Sequence, residues 1–340
     1  MNLIRPSYEI IEQGPGIQGI YDIIENAGKT SYKSKVEGGE TARRFVEARV
    51  KEHHGAVLEF GTVYLKLEMS SLNDPQFRAK KEIVEFYTRN KFSAVRENLV
   101  MVTTKPRDSY GVSTYYITTN YRVVIENGRE NDLKYLCETP EEFHEKRVCV
   151  RFIVDRFTGE EFLRHRVFSF CRESTRYCNY SKDKFGCNIT FVLPPWIKPE
   201  EVATGTNIAY WDGDWVDMDK MSIVCYGGKT RANTWLHAMN DIERAYMSLT
   251  NDWSHVPEAE EGEYREWTAQ QARTVLPCAV KSPLAMCGFV KDWAHFFDLR
   301  ALGTTGAPHP QALELAQPLM LDFQQRGILK EKEPKTEEND

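Results

Sequence analysis

Nowhere in its 340 residues does the chain hold a run approaching the ~20 apolar residues that a membrane-spanning helix needs, so no span is expected. The opening Met1-Asn2-Leu3-Ile4-Arg5-Pro6 lacks the apolar core of a secretory signal, and a cytoplasmic protein is the expectation. An excess of positive charge is missing as well. With a net charge of -6 the surface as a whole should not attract nucleic acid, because that binding rests on neutralising many phosphates. Any anion site must therefore be local. Of the eight cysteines, no two form the close pair of a zinc site, so no metal centre is expected and reduced thiols are the default. Repeats and low-complexity tracts are absent, apart from a charged tail over 329–340 that should be disordered.

What the chain does have is 41% hydrophobic and 12% aromatic residues, enough for a sizeable core. Strand-like patterning appears at 6–13, 61–68, 114–125, 147–154 and 189–193. Helical spacing appears from Gly19 to about Ala27, over 41–54 and 79–90, and again at 230–249, 262–276, 284–300 and 310–325. Residues 198–228, rich in Gly, Asp and Trp, read as loop, and 70–112 as a polar insertion with local helix. Antiparallel strands gathered early, with helices mostly in the second half, predict an α+β fold, not a doubly wound one.

One motif is a decoy. Gly14-Pro15-Gly16-Ile17-Gln18-Gly19 matches the G-x-G-x-x-G pattern between a strand and a helix. A second parallel strand ending in an acid should follow about twenty residues on, but residues 29–39 are polar and not strand-like. A plain turn and helix start is the better reading.

The informative stretch is 161–177, where Arg164, His165, Arg166, Arg172 and Arg176 crowd together on an acidic protein. Such concentration suggests an anionic ligand. Consecutive helical residues differ by about 100° around the axis, so Arg164, His165 and Arg166 would serve different neighbours if helical. Ser174 and Arg176, two apart in an extended or turn segment, would point the same way, and a hydroxyl beside a guanidinium suits a phosphate. The plainer reading is that these arginines pair with Glu160, Glu161 and Glu173, since surface ion pairs are common and individually weak.

Arg164-His165-Arg166, seven residues, then Ser174, with Thr175-Arg176-Tyr177 following, resembles the signature of the flavin-dependent thymidylate synthases. Upstream, His54-Gly55-Ala56-Val57-Leu58-Glu59-Phe60 is similar to the family's His-x-x-Pro-hydrophobic-Glu-His segment, with Val57 and Phe60 in place of Pro and His. Downstream, 272–277 and 296–300 are similar to its Ala-Arg-x-x-Leu-Pro and Phe-x-x-Leu-Arg segments and carry Arg273 and Arg300. Phe289, Lys291 and Arg172 depart from the usual Asn, Arg and Glu.

The resemblance implies a single domain over 1–328, with insertions at about 71–144 and 198–228, assembled as a homotetramer whose sites lie at subunit interfaces. It implies reductive methylation of dUMP to dTMP, with 5,10-methylenetetrahydrofolate as carbon donor and NADPH as reductant through bound FAD. Carried over residue by residue, the flavin group is His54, Glu59, Arg164, His165, Arg166 and His295. The nucleotide group is Glu161, Arg164, Ser174, Arg176, Arg273 and Arg300. Arg300, Ser174 and His54 are the candidates for the reaction itself. Tyr177 and His54 are candidates for stacking on flat rings.

Two rivals stand beside this. Cys278 after Pro277 is similar to the Pro-Cys pair of the thymidylate synthases that use a thiol nucleophile, but nothing else of that family is present. A non-catalytic nucleotide or RNA-binding module would use the same arginines and the many aromatics, against which the acidic net charge argues.

Overall fold

From Ser282 to Gly288 every residue is buried, a pattern no amphipathic helix produces. In the computed structural model this segment is strand β12 (Lys281–Phe289), so the helix expected over 284–300 begins only at Val290, as α9 (Val290–Arg300). An apolar run buried on both faces fits an interior strand, and sequence periodicity alone does not separate it from a buried helix. The structure describes all residues except 31–34, 71–73, 106–107, 199–200, 203–207, 212–213, 220–221, 226–229, 252–265 and 331–340. The charged tail thus lies almost wholly outside the described residues.

Strand β12 belongs to a four-stranded antiparallel sheet ordered β2 (Ser7–Ile11), β6 (Arg147–Asp155), β12, β7 (Ser169–Arg172). Between β6 and β12 the register runs from Lys281 opposite Asp155 to Phe289 opposite Arg147. It places Cys149 opposite Cys287, Cα atoms 4.1 Å apart and joined as a disulfide, which corrects the expectation of reduced thiols for this pair. Cys137, Cys187 and Cys278 are free thiols.

One face of the sheet is covered by α6 (Arg156–Phe162), α9 and α10 (Pro310–Gln325), whose Phe162, Trp293, Phe296, Phe297 and Phe323 pack with Phe152, Leu284 and Met286. Gly288 matters here, because a Cβ at that position would run into the ring of Phe168. On the other face, α1 (Gly16–Thr30) and α3 (Gly55–Leu58) contribute or adjoin Ile23, Ala27, Val57 and Phe60, which meet Cys149, Cys171, Ala285 and Cys287.

A second sheet, ordered β3 (Thr62–Ser70), β5 (Asp108–Asn120), β4 (Ala94–Lys105), packs against α1, α2 (Gly39–Lys51), α4 (Phe77–Arg89) and α5 (Tyr121–Glu126). The polar insertion therefore contains a long strand, β4, besides its expected helix. Because β4 is an edge strand it leaves Leu99, Val100 and Met101 exposed, and that loss of alternation hid it. The strand expected over 114–125 stops at Asn120, whose side chain accepts a bond from the Val123 amide and caps α5.

The third core joins β1 (Asn2–Ile4), parallel to β8 (Thr190–Val192), with α7 (Arg231–Thr250). The stretch read as loop, 198–228, holds a small antiparallel sheet of β9 (Ile208–Trp211), β10 (Asp214–Asp217) and β11 (Ser222–Cys225). Its anchor is the fully buried Trp215, which donates to Asn233 of α7. The helix expected over 262–276 is shorter among the described residues: α8 (Ala269–Ala272), opened by a Thr268/Gln271 capping box, then a 3-10 turn over Arg273–Val275. Helices and antiparallel sheets are mixed along the chain, and the class is α+β.

Candidate active site

The start of α1 shows what the glycine decoy does. Gly16 sits at φ 58°, its amide donates to the Glu138 carbonyl at 2.8 Å, and the Glu138 carboxylate lies where a Cβ would stand. An acid holds the place a phosphate would need. A cavity of about 570 Å³ opens beside it, lined by Ile10, Gln13, Gly14, Leu136, Glu138 and Arg147 among others, and none of the residues carried over from the resemblance lines it.

Helix α6 and the turn behind it carry the basic signature. Asp155 caps the helix through the Thr158 amide and hydroxyl, and its carboxylate also accepts from Gln311 of α10. The helix ends at Phe162, so Arg164, His165 and Arg166 fall in a turn, with both arginines exposed and the histidine buried between them. Phe168 then locks the turn by packing its ring 4.8 Å from that of Trp293.

Two groups of side chains form around this segment. In the first, the Arg300 guanidinium donates to the Glu161 carboxylate at 2.6 Å, to the Glu161 carbonyl at 3.1 Å and to Nε2 of His165 at 3.2 Å. His295 joins from the same helix, its ring centre 6.5 Å from that of His165. Burial, then the charge of Arg300, then His295, push the His165 pKa down to about 4. The imidazole is thus neutral near pH 7, with Nε2 as acceptor and the proton on Nδ1.

In the second group, Arg156 Nη1 donates to the Thr175 hydroxyl at 3.2 Å, and Arg172 pairs with Glu160 at 2.7 Å. Arg176 donates to Gln270 at 3.2 Å, and Gln270 lies three residues before Arg273 at the end of α8. Ser174 Oγ accepts from the Arg176 amide at 3.4 Å. Glu173 takes no part, because it is buried and accepts from the Tyr180 hydroxyl at 2.8 Å. Burial and the charges of Tyr180's neighbours, Glu173 first, hold that phenol far above its usual pKa.

The structure thus brings Glu161, His165, His295 and Arg300 together, and separately gathers Ser174, Arg176 and the α8 end that bears Arg273. Glu160 and Glu161, adjacent on α6, belong one to each group. The plainer reading is partly realised, since both acids pair with arginines while Glu173 does not. His54 and Glu59 stand apart from both groups among the described residues. His54 is exposed, 3.5 Å from Glu52, and Glu59 accepts from Arg122 of α5 at 2.7 Å. Their segment nevertheless packs on β7, the strand that follows the signature turn.

Two residues were missed in the sequence. Arg147 donates to the Glu59 carbonyl at 3.0 Å, to Thr62 at 3.3 Å and to Ser169 at 3.4 Å, so it ties the His54–Glu59 segment to β7. Its burial lowers the pKa to about 10, still a cation at neutral pH. Nothing in the local pattern of β6 marks it, because its partners are distant in sequence. Arg156 had a signal: it starts the same charged segment eight residues before Arg164, and counting the arginines from α6 would have included it.

Among the described residues no helix is long and apolar enough to cross a membrane, and no group of three His, Cys, Asp or Glu could hold a metal ion. No curated protein matches the chain. Solved structures that resemble it include the UMP/dUMP methylase PolB from Streptomyces cacaoi bound with 5-Br UMP, at 12% identity and a TM-score of 0.38, covering 96% of this chain and 92% of that one. The same methylase bound with 5-Br dUMP aligns at 13% identity and 0.37, covering 96% and 93%. The model of the family described as thymidylate synthase complementing protein matches residues 137–325, more than half of the chain and the part that holds both side-chain groups. On that match the chain belongs to the thymidylate synthase complementing protein family, the flavin-dependent thymidylate synthases, which are methyltransferases.

Proposed function

We propose that the chain converts dUMP to dTMP by reductive methylation, taking the carbon from 5,10-methylenetetrahydrofolate and reducing equivalents from NADPH through bound FAD. The observation that carries this reading is the convergence of Ser174, Arg176 and the Arg273 end of α8 within the family-matched region of an acidic protein. A nucleotide phosphate near two negative charges is the ligand such a group suits, each charge-assisted bond contributing about 1.5–3 kcal/mol.

The donor set also fits a flavin. Arg164 and Arg166 flank a neutral imidazole, with His295 beside it, and exposed guanidinium groups suit the diphosphate of FAD. When bound, the flavin supplies the hydride chemistry. The chain's own residues then position and polarise. Arg300 sets a fixed positive charge beside the uracil, favouring the electron-rich form whose C5 attacks the folate carbon. Glu161, already bonded to Arg300, orients that guanidinium. His165 remains uncharged and leaves the local field to Arg300. No thiol adds to C6 in this scheme. Because Arg164, Arg166, Arg176 and Tyr177 are exposed on one protomer, the reading includes a homotetramer whose neighbouring subunits complete each site, in the cytoplasm.

Release of tritium from position 5 of deoxyuridylate, dependent on folate and NADPH, is the decisive assay. Flavin-loaded protein that releases none under those conditions refutes the reading.

A further inference from the structure

Two arginines of the second group, Arg156 and Arg172, are not carried over from the family resemblance, and of these Arg172 is paired with Glu160. Helix α6 starts with Arg156, its amide donates to the Cys278 carbonyl at 2.9 Å, and its guanidinium reaches across to Thr175, inside the Ser174-Thr175-Arg176 segment. The Asp155 cap and the Gln311 bond fix that helix start, so the side chain leaves a rigid base.

Its electrostatic surroundings are unusual. Arg172 and Arg273 act on it with like charge, opposed by Glu160 and the Tyr180 phenol. Among the described residues neither Arg156 nor Arg273 has a carboxylate at ion-pair distance, while Arg172 has Glu160. Burial and those two arginines hold the Arg156 guanidinium below its usual pKa. Placing like charges together and leaving them uncompensated costs stability, and a dianion between them relieves it.

We propose that Arg156 is a phosphate-recognition residue, a further guanidinium that acts with Arg176 and Arg273 on the 5′-phosphomonoester of the nucleotide and makes binding depend on the doubly charged phosphate. The Thr175 hydroxyl accepts from its guanidinium at 3.2 Å and orients the side chain toward this segment. This rests on the nucleotide reading above and extends it by one residue.

The test compares binding of dUMP and of deoxyuridine by calorimetry, using flavin-loaded protein in the wild-type form and as Arg156→Gln and Arg156→Lys. Arg156→Gln should weaken dUMP by about tenfold or more while leaving deoxyuridine unchanged, and Arg156→Lys should recover part of the loss. Inorganic phosphate should compete with dUMP more weakly against Arg156→Gln than against wild type. Unchanged dUMP affinity in Arg156→Gln, or equal losses for nucleotide and nucleoside, overturns the assignment and makes Arg156 structural. Wild-type protein that does not bind dUMP at all overturns the nucleotide reading itself, a different result from the other two. Should Arg156→Gln fail to fold, Arg156→Lys carries the same comparison: a fall in dUMP affinity with none for deoxyuridine supports the assignment, and no selective fall refutes it.

Discussion

Arg300 and His165, 135 residues apart, meet at 3.2 Å with the guanidinium donating to Nε2 of the imidazole. A donor that is always charged can hold only a neutral histidine in this way. Protonating His165 would set two cations against each other in a buried site, and the fold resists it.

The sign of the pH dependence follows. Folded, His165 titrates near 4, against 6.5 for an unperturbed histidine. Between those values the unfolded chain binds more protons, so stability from this group is fully present above about pH 6.5 and is lost as pH falls toward 4. The whole effect is up to about 3 kcal/mol. Urea midpoints at pH 7.5 and 5.0 should drop more in wild type than in His165→Gln. Equal drops would show that the histidine titrates normally.

Replacing Arg300 with lysine keeps the charge and removes the fork that binds the Glu161 carboxylate, the Glu161 carbonyl and His165 at once. Steady-state kinetics of Arg300→Lys should show kcat/KM reduced by about tenfold or more, with kcat taking a substantial part of the loss. Wild-type kinetics in that variant would remove Arg300 from the reaction.

Arg176 binds Gln270 here and faces solvent, so its removal should disturb little besides the ligand. For Arg176→Ala the dissociation constant of dUMP should rise at least about tenfold, or about 1.4 kcal/mol, with the flavin content of purified protein unchanged. Loss of flavin with intact nucleotide affinity would reverse the roles.

Arg147 links three partners from three parts of the chain. Arg147→Met leaves the Glu59 carbonyl and the Thr62 and Ser169 hydroxyls without this donor, and should cost about 2–3 kcal/mol in denaturant unfolding. A change under about 0.5 kcal/mol would mean that water replaces the guanidinium without penalty.

Cys278 is exposed, and its carbonyl, not its thiol, is what Arg156 uses. Cys278→Ala should retain turnover in the tritium-release assay. Abolished turnover at normal flavin content would instead assign the thiol as nucleophile.

Helices with one apolar face were legible in the chain: the spacing over 310–325 matches α10, and that over 230–249 matches α7 to within a residue at each end. The signature from Arg164 to Ser174 and the arginines of the downstream segments were legible too, because residue identity and local spacing carry them. Much of the rest was not, and three cases show why. A strand buried on both faces, β12, has no period to distinguish it from a helix. The edge strand β4 has exposed apolar residues where alternation was sought. Cys149 and Cys287 are 138 residues apart, and only the register of β6 on β12 sets them opposite each other.

The division has a physical basis. Sequence determines what local chemistry and short-range periodicity can encode: an acidic chain with a concentrated basic segment, its family, and the amphipathic helices. Tertiary structure decides which charges face one another. Glu160 and Glu161 are neighbours in the chain, yet strand pairing and helix packing send one to Arg172 and the other to Arg300. Long-range Coulomb and hydrogen-bond partners depend on where the backbone returns, and that is set by burial of the whole core.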